Sequence, residues 1–152
     1  SDENETTIET FEYTADSNLP NKRTITILSE LRKYSEYTVQ NGNIVEERVF
    51  DKSKELLHII SFIYDTKTNY QDDISPIYYI SRLDGPAIYF SKNNIIERKV
   101  ELKKENPPRK SVVKTQLILN EKGQIYRIAE DDLIPNSSGL YYEIEYTSIL
   151  KH

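Results

Sequence analysis

The chain has 152 residues, of which 37% are hydrophobic and 30% charged, and its net charge is −5. This length suits one domain with a single core, and so polar a composition favours a sheet with one face in water. The acidic balance argues against a nucleic-acid partner, because phosphate binding needs a basic face. The absence of cysteine excludes disulfides, thiolate catalysis and cysteine-based metal sites.

The sequence contains no methionine, so we expect that a segment before Ser1 has been removed. Residues 1–6 are polar and acidic and are predicted to be a flexible tether, with a single all-β domain over residues 7–152. No run approaches the roughly 20 apolar residues of a membrane helix. The expected domain is a monomer.

Strands are predicted first at Thr7–Tyr13 and at residues 23–28, with a bend or one helical turn at residues 29–32. Asn41-Gly42 is the strongest hairpin signal, since both central residues of a type I′ turn need positive φ. The strand predicted at residues 56–64 is apolar on both faces and ends at Tyr64-Asp65. A strand of this kind is covered on both faces, so it is expected to lie in the middle of the sheet.

Residues 65–86 are too long and too apolar for a solvated loop. We expect this segment to be irregular or to hold a short helix, and to pack on one face of the central strand. Further hairpins are predicted at residues 87–90 with 95–103, turning at Asn93-Asn94, and at residues 111–119 with 124–130. A last strand is predicted at residues 139–150.

The predicted hairpins share one plan, in which an apolar strand end, a polar turn and an isoleucine follow each other. Such repetition indicates an array of similar units. The predicted fold is an all-β antiparallel meander of about nine or ten strands, strongly twisted, as an open sheet or an incomplete barrel.

The sequence offers little chemistry. His58 lies in the predicted central strand, where a packed imidazole is more common than a catalytic one. Glu143 and Glu145 share a strand face about 7 Å apart, a spacing compatible with an inverting glycosidase pair but commonplace on solvated strands. We therefore expect no catalytic residues, no metal site and no cofactor.

Tyrosines near carboxylates give the candidate ligand-binding surface, because tyrosine supplies rigid amphipathic contact area. The alternative is that these tyrosines only cover the sheet. The candidate residues are Tyr70, Tyr78, Tyr79, Tyr141, Glu143 and Glu145.

Three motifs occur in a fixed order: Asn-Gly-Asn-Ile at 41–44, Phe-Ile-Tyr-Asp-Thr-Lys-Thr-Asn at 62–69 and Tyr-Phe-Ser-Lys-Asn-Asn at 89–94. Over roughly residues 34–146 the chain resembles a family of Bacteroidetes lipoproteins of unknown function, with hairpins like those of YD (RHS-type) repeats. It departs from that family at Tyr70, where many relatives carry Pro-Phe. The resemblance implies an exported protein, lipid-anchored to the outer membrane through a cysteine upstream of Ser1 and facing the cell surface or periplasm. It implies no activity.

The leading hypothesis is a non-enzymatic surface binding or scaffolding module for a glycan or a protein. The first alternative is a lipocalin-like carrier of a small apolar ligand, which requires a closed barrel with a hollow interior. The second is a glycoside-active enzyme using surface carboxylates, which requires two carboxyl groups that face each other across a cleft.

Overall fold

A computed structural model describes residues 6–69, 87, 90–119, 121, 125–132 and 140–143. In this part of the chain there are nine strands, and the backbone of Ala87 and Phe90 is helical. The strands are β1 Thr7–Tyr13, β2 Pro20–Ile27, β3 Glu30–Gln40, β4 Asn43–Asp51, β5 Leu56–Thr68, β6 Asn93–Leu102, β7 Arg109–Leu119, β8 Ile125–Asp132 and β9 Leu140–Glu143.

All nine strands form one sheet in chain order, and each is antiparallel to the next. The predicted all-β meander is therefore confirmed. β1 and β9 are the two ends of this order, so the described strands form an open sheet. No described helix has the length and apolar character needed to cross a membrane.

Two tight turns use left-handed backbone. Asn41 and Gly42 have φ of 52° and 78°, as a type I′ turn requires. Leu28 and Ser29, between β2 and β3, have φ of 52° and 63°. The bend or helical turn expected at residues 29–32 is wrong, since β3 already begins at Glu30. Pairing of β2 with β3 therefore imposes a turn that leucine and serine do not favour.

Two predicted boundaries after the central strand are also wrong. β5 continues to Thr68 instead of ending at Tyr64-Asp65. The strand expected at residues 87–90 is wrong at both described positions, because the backbone of Ala87 and Phe90 is helical. Asn93 and Asn94 therefore begin β6 and do not turn a hairpin. Of the three repeated hairpins, the first and third are present as β3–β4 and β7–β8.

The sheet has two unlike faces. The covered face carries the strongly buried side chains of the central strands, among them Ser35, Tyr37, Glu47, Val49 and Phe62. The registers Ser35↔Val49 and Tyr37↔Glu47 place four of these residues on one side of the β3–β4 pair. The opposite side, called here the outer face, carries Lys22, Tyr34, Glu36, Arg48 and Phe50, which follow one another across β2, β3 and β4.

β5 is the fifth strand of nine, so the prediction of a central strand is confirmed. On the covered face, Phe62 packs in a core cluster with Tyr37, Ile44 and Ala87. Phe90 lies edge-on to Phe11 of β1, with 5.8 Å between ring centroids. The end of the chain segment between β5 and β6 thus packs on the covered face, while residues 70–86 of that segment lie outside the described part. The other side of β5 is more open, since Ile63 is 44% exposed.

Candidate functional site

The three motifs of residues 41–44, 62–69 and 89–94 meet at one end of the central strands. There they form a hydrogen-bonded group that we call the asparagine cluster; its side chains are those of Asn43, Tyr64, Asp65, Asn69, Ser91, Asn93 and Asn94. Four of the seven are buried: Asn43, Asn69, Ser91 and Asn94. Residues separated by 20 to 50 positions in the sequence are therefore joined through polar side chains.

Ser91 and Tyr64 form a closed ring of hydrogen bonds with the main chain of Ile44. The Ile44 N–H donates to Ser91 Oγ at 3.0 Å. Ser91 Oγ lies 2.9 Å from the Tyr64 hydroxyl, which donates to the Ile44 carbonyl. Burial raises the pKa of Tyr64 to about 12, against a smaller lowering by Ser91, so the phenol stays protonated and keeps this donor.

Asp65 and Asn94 form the second part of the cluster. The Asn94 side-chain amide donates to Asp65 Oδ2 at 3.1 Å and to the Thr68 carbonyl at 3.1 Å. Asp65 Oδ1 also accepts from the main-chain N–H groups of Asn94 and Lys67, at 3.1 and 3.0 Å. This carboxylate therefore ties the end of β5 to the start of β6.

The third part holds the Asn41-Gly42 turn against the start of β6. Asn43 Nδ2 donates to Asn93 Oδ1 at 3.0 Å, and the Asn93 N–H donates back to Asn43 Oδ1 at 2.9 Å. The Lys92 N–H donates to the Gly42 carbonyl at 2.9 Å. The side-chain amides of Asn43 and Asn93 are thus both used in the contact between the turn and β6.

The hydrogen bonding of the asparagine cluster indicates a structural role, which is to join separate strands. Its carboxylate accepts protein N–H groups on both oxygens, so both oxygens take part in holding the end of β5 to the start of β6. Among the residues that the structure describes, no group of three or more His, Cys, Asp or Glu residues is placed to hold a metal ion.

The outer face carries a row of opposed charges. Register pairs run from Glu12 to Lys22, Glu36, Arg48, Ile59, Glu101 and Lys110, one residue on each strand from β1 to β7. Acidic and basic residues alternate along this row, with Ile59 as the one apolar member. Hydrogen bonding from Lys103 lowers the pKa of Glu101. The row contains equal numbers of acidic and basic residues. Within the row, each charged residue has neighbours that are either oppositely charged or uncharged.

An aromatic pair lies beside this row. The rings of Tyr34 and Phe50 stack with 4.9 Å between centroids and 10° between planes, and the Lys22 ammonium lies 5.6 Å from the Tyr34 ring centre. These three residues, the aromatic patch, are all half-buried. Stacked rings next to a cation suit contact with a sugar or a protein side chain.

The covered face also holds polar side chains, among them those of His58, Glu47 and Arg98. Burial lowers the pKa of His58, and the Lys33 ammonium acts in the same direction, while the Glu47 carboxylate opposes them. The buried Glu47 Oε1 lies 3.5 Å from the Tyr37 hydroxyl. His58 therefore remains a neutral, packed side chain near neutral pH. Arg98, opposite Phe62, has a buried Nε with no hydrogen-bond partner.

Most of the predicted site residues lie outside the described part of the chain. This applies to Tyr70, Tyr78, Tyr79 and Glu145. Tyr141 and Glu143 belong to β9, where their main chains pair with Ala129 and Arg127 of β8. The structure neither supports nor contradicts a ligand site at these positions.

The aromatic patch was not predicted from the sequence. Tyr34 and Phe50 are partners because the register of β3 and β4 shifts by one residue between Thr38 and Val39. Counting outwards from the Asn41-Gly42 turn without this bulge would place Val49 opposite Tyr34. A bulge of this kind has no sequence signal as strong as the turn itself.

A scan against protein-family models and a search of curated proteins gave no match. Among solved structures, the chain is similar to a porin-like protein from Bacteroides uniformis, with a TM-score of 0.46 and 9% sequence identity. The similarity covers 90% of this chain and 66% of that protein. A TM-score at this level carries no inference about function.

Proposed function

We propose that this chain is a non-enzymatic, exported domain, anchored by lipid at its N-terminal side, that acts as a surface binding or scaffolding module. Its partner is a glycan or another protein, and the contact surface is the aromatic patch with the charge row beside it. The observation that carries the proposal is the outer face: an extended polar surface spanning seven strands with balanced charge.

The extent of this face, across seven strands, favours a large partner. Small-molecule sites are usually concave and apolar, whereas protein and polymer partners are bound on broader surfaces. The carrier alternative needs a closed barrel, but the described strands form an open order from β1 to β9. The carboxylates of the row are opposed to basic residues, which suits a solvated surface better than acid–base catalysis.

Rigidity supports a scaffolding role. The asparagine cluster joins the β3–β4 hairpin to the start of β6 through buried hydrogen bonds. Buried and satisfied polar networks restrict the relative movement of the elements they join. The aromatic patch is carried by strands of this braced part of the sheet.

A glycan array and a pull-down with the intact domain test the proposal. Three proteins are compared: the natural chain, Tyr34→Ala, and a variant with Tyr70, Tyr78 and Tyr79 changed to alanine. We expect the natural chain to retain a glycan or protein partner and Tyr34→Ala to lose it, with unchanged circular dichroism. Retention by Tyr34→Ala and loss by the triple variant would move the site to residues 70–79. Cleavage of a glycan, or no partner at all, would contradict the proposed function.

A further inference from the structure

β1 is one of the two edge strands of the sheet that the described residues form, and its pairing with β2 is regular from Thr7 to Glu12. Its outward groups can be identified from its pairing with β2. The Leu28 N–H donates to the Thr6 carbonyl, and Thr26 Oγ1 donates to the Ile8 carbonyl. Even-numbered residues of β1 therefore turn their main-chain groups towards β2, and the N–H and C=O groups of Thr7 and Glu9 point away from the sheet.

The segment from Thr6 to Thr10 is exposed at every residue. Ile8, at its centre, is 47% exposed, although it lies in a regular strand. Edge strands are usually protected by proline, charged side chains or an early bulge. Residues 6–10 contain no proline, lysine or bulge, and their one charged residue, Glu9, is paired with Arg23 of the same chain. The bulge of β1 lies further along, between Glu12 and Tyr13.

We propose that this edge pairs with the same edge of a second copy of the chain, in an antiparallel dimer centred on Ile8. In this register Thr7 of one protomer lies opposite Glu9 of its partner, and the reverse. Both residues carry outward main-chain groups, so the pairing forms two complete hydrogen-bonded pairs across the dimer axis. Ile8 then lies opposite its own copy, which removes two exposed apolar side chains from water.

Charge disfavours a shift of two residues that centres the dimer on Glu9. In that register Glu9 would lie opposite Glu9 of the partner subunit, and like charges directly opposite each other are destabilising. A shift of one residue would place outward groups opposite inward ones and lose the hydrogen bonds. In the proposed register each Glu9 faces a threonine and keeps its ion pair with Arg23, in which the charged atoms are 2.7 Å apart.

The partner favoured by these observations is therefore a second copy, in place of the expected monomer. Antiparallel pairing about a two-fold axis makes the two outer faces continuous. Such a dimer doubles the width of the surface proposed for binding, but its formation does not depend on that function.

Sedimentation equilibrium over a range of concentrations tests the dimer directly. We expect reversible dimerisation of the natural chain and association weakened by about tenfold in Ile8→Lys, which sets two lysines opposite each other. An equimolar mixture of Ile8→Lys and Ile8→Glu should recover dimers. Ile63→Lys is the matched control, because Ile63 is 44% exposed but lies in the central strand; it should dimerise normally.

A single introduced cysteine reports the register, since the chain has none of its own. Residues at the dimer centre form a non-hydrogen-bonded pair with Cα atoms about 4.5 Å apart, within the range that a disulfide bridges. We expect Ile8→Cys to cross-link under mild oxidation several times faster than Thr10→Cys. A monomeric natural chain at all concentrations, equal weakening by Ile63→Lys, or equal cross-linking at both positions would overturn the proposal, as would pairing of this edge only with another protein.

Discussion

Single residues show where the backbone is under strain. The two type I′-like turns have nearly the same φ at their first positions, 52° at both Leu28 and Asn41. Asn-Gly fits this geometry, while Leu-Ser must adopt it against steric repulsion of the Cβ atoms. The Asn41-Gly42 turn was thus predictable from its two residues. The tight turn at Leu28-Ser29 was not, because leucine and serine do not favour left-handed backbone and only the pairing of β2 with β3 requires it.

Exchanging the residues of these two turns tests this account. Leu28→Asn with Ser29→Gly should raise the free energy of unfolding by about 1–2 kcal/mol, since it relieves the left-handed strain. Leu28 is 50% exposed, so little apolar contact is lost. Chemical denaturation measures the free energy of unfolding of this double variant and of the natural chain.

The reverse exchange, Asn41→Leu with Gly42→Ser, is the control and should lower the free energy of unfolding by a similar amount. A Cβ at position 42 would lie 3.5 Å from Lys92, an ordinary contact, so the loss would come from the backbone. A change of the same sign in both exchanges, or no change in either, would show that the strain is not located in these turns.

At the scale of elements, strand alternation predicts which residues share a face but not which residues face each other across strands. Glu36 and Arg48 become partners only through the bulge between Thr38 and Val39. Contacts between distant residues also decide where β6 begins, and the local sequence does not predict them. Asn93 and Asn94 have turn-forming side chains, but here their amides pair with Asn43 and Asp65, and so they begin a strand.

Reversing one charge tests the row on the outer face. Glu36→Lys places a lysine between Lys22 and Arg48, and should lower the free energy of unfolding by about 0.5–1 kcal/mol through like-charge repulsion. The loss should shrink in high salt because the row is exposed. Urea denaturation at low and high ionic strength measures this loss in the free energy of unfolding.

Two further variants complete this test. Glu36→Gln should cost less than Glu36→Lys, since it removes attraction without adding repulsion. Glu121→Lys makes the same charge change at an exposed turn residue outside the row. A loss in Glu121→Lys as large as that in Glu36→Lys would mean that net charge, and not the row, determines stability.

At the scale of the whole molecule, the meander and its central strand follow from the sequence, because hairpin turns and apolar strands are encoded locally. The asparagine cluster does not follow from local signals. Its members come from three separate motifs whose polar residues look like ordinary turn residues. These motifs carry the resemblance to lipoprotein domains, and in the structure they join distant strands. Their role is architectural, and the binding that we propose is therefore assigned to the outer face.

A double-mutant cycle on Tyr64 and Ser91 tests this central claim most directly. Tyr64→Phe and Ser91→Ala should each lower the free energy of unfolding by about 1–3 kcal/mol, because each leaves buried polar groups unpaired. If the ring with Ile44 is intact, the double variant should lose less than the two single losses together, with a coupling of about 1 kcal/mol. Losses that add within about 0.3 kcal/mol would show that the two side chains act independently and that the asparagine cluster does not hold the hairpins together.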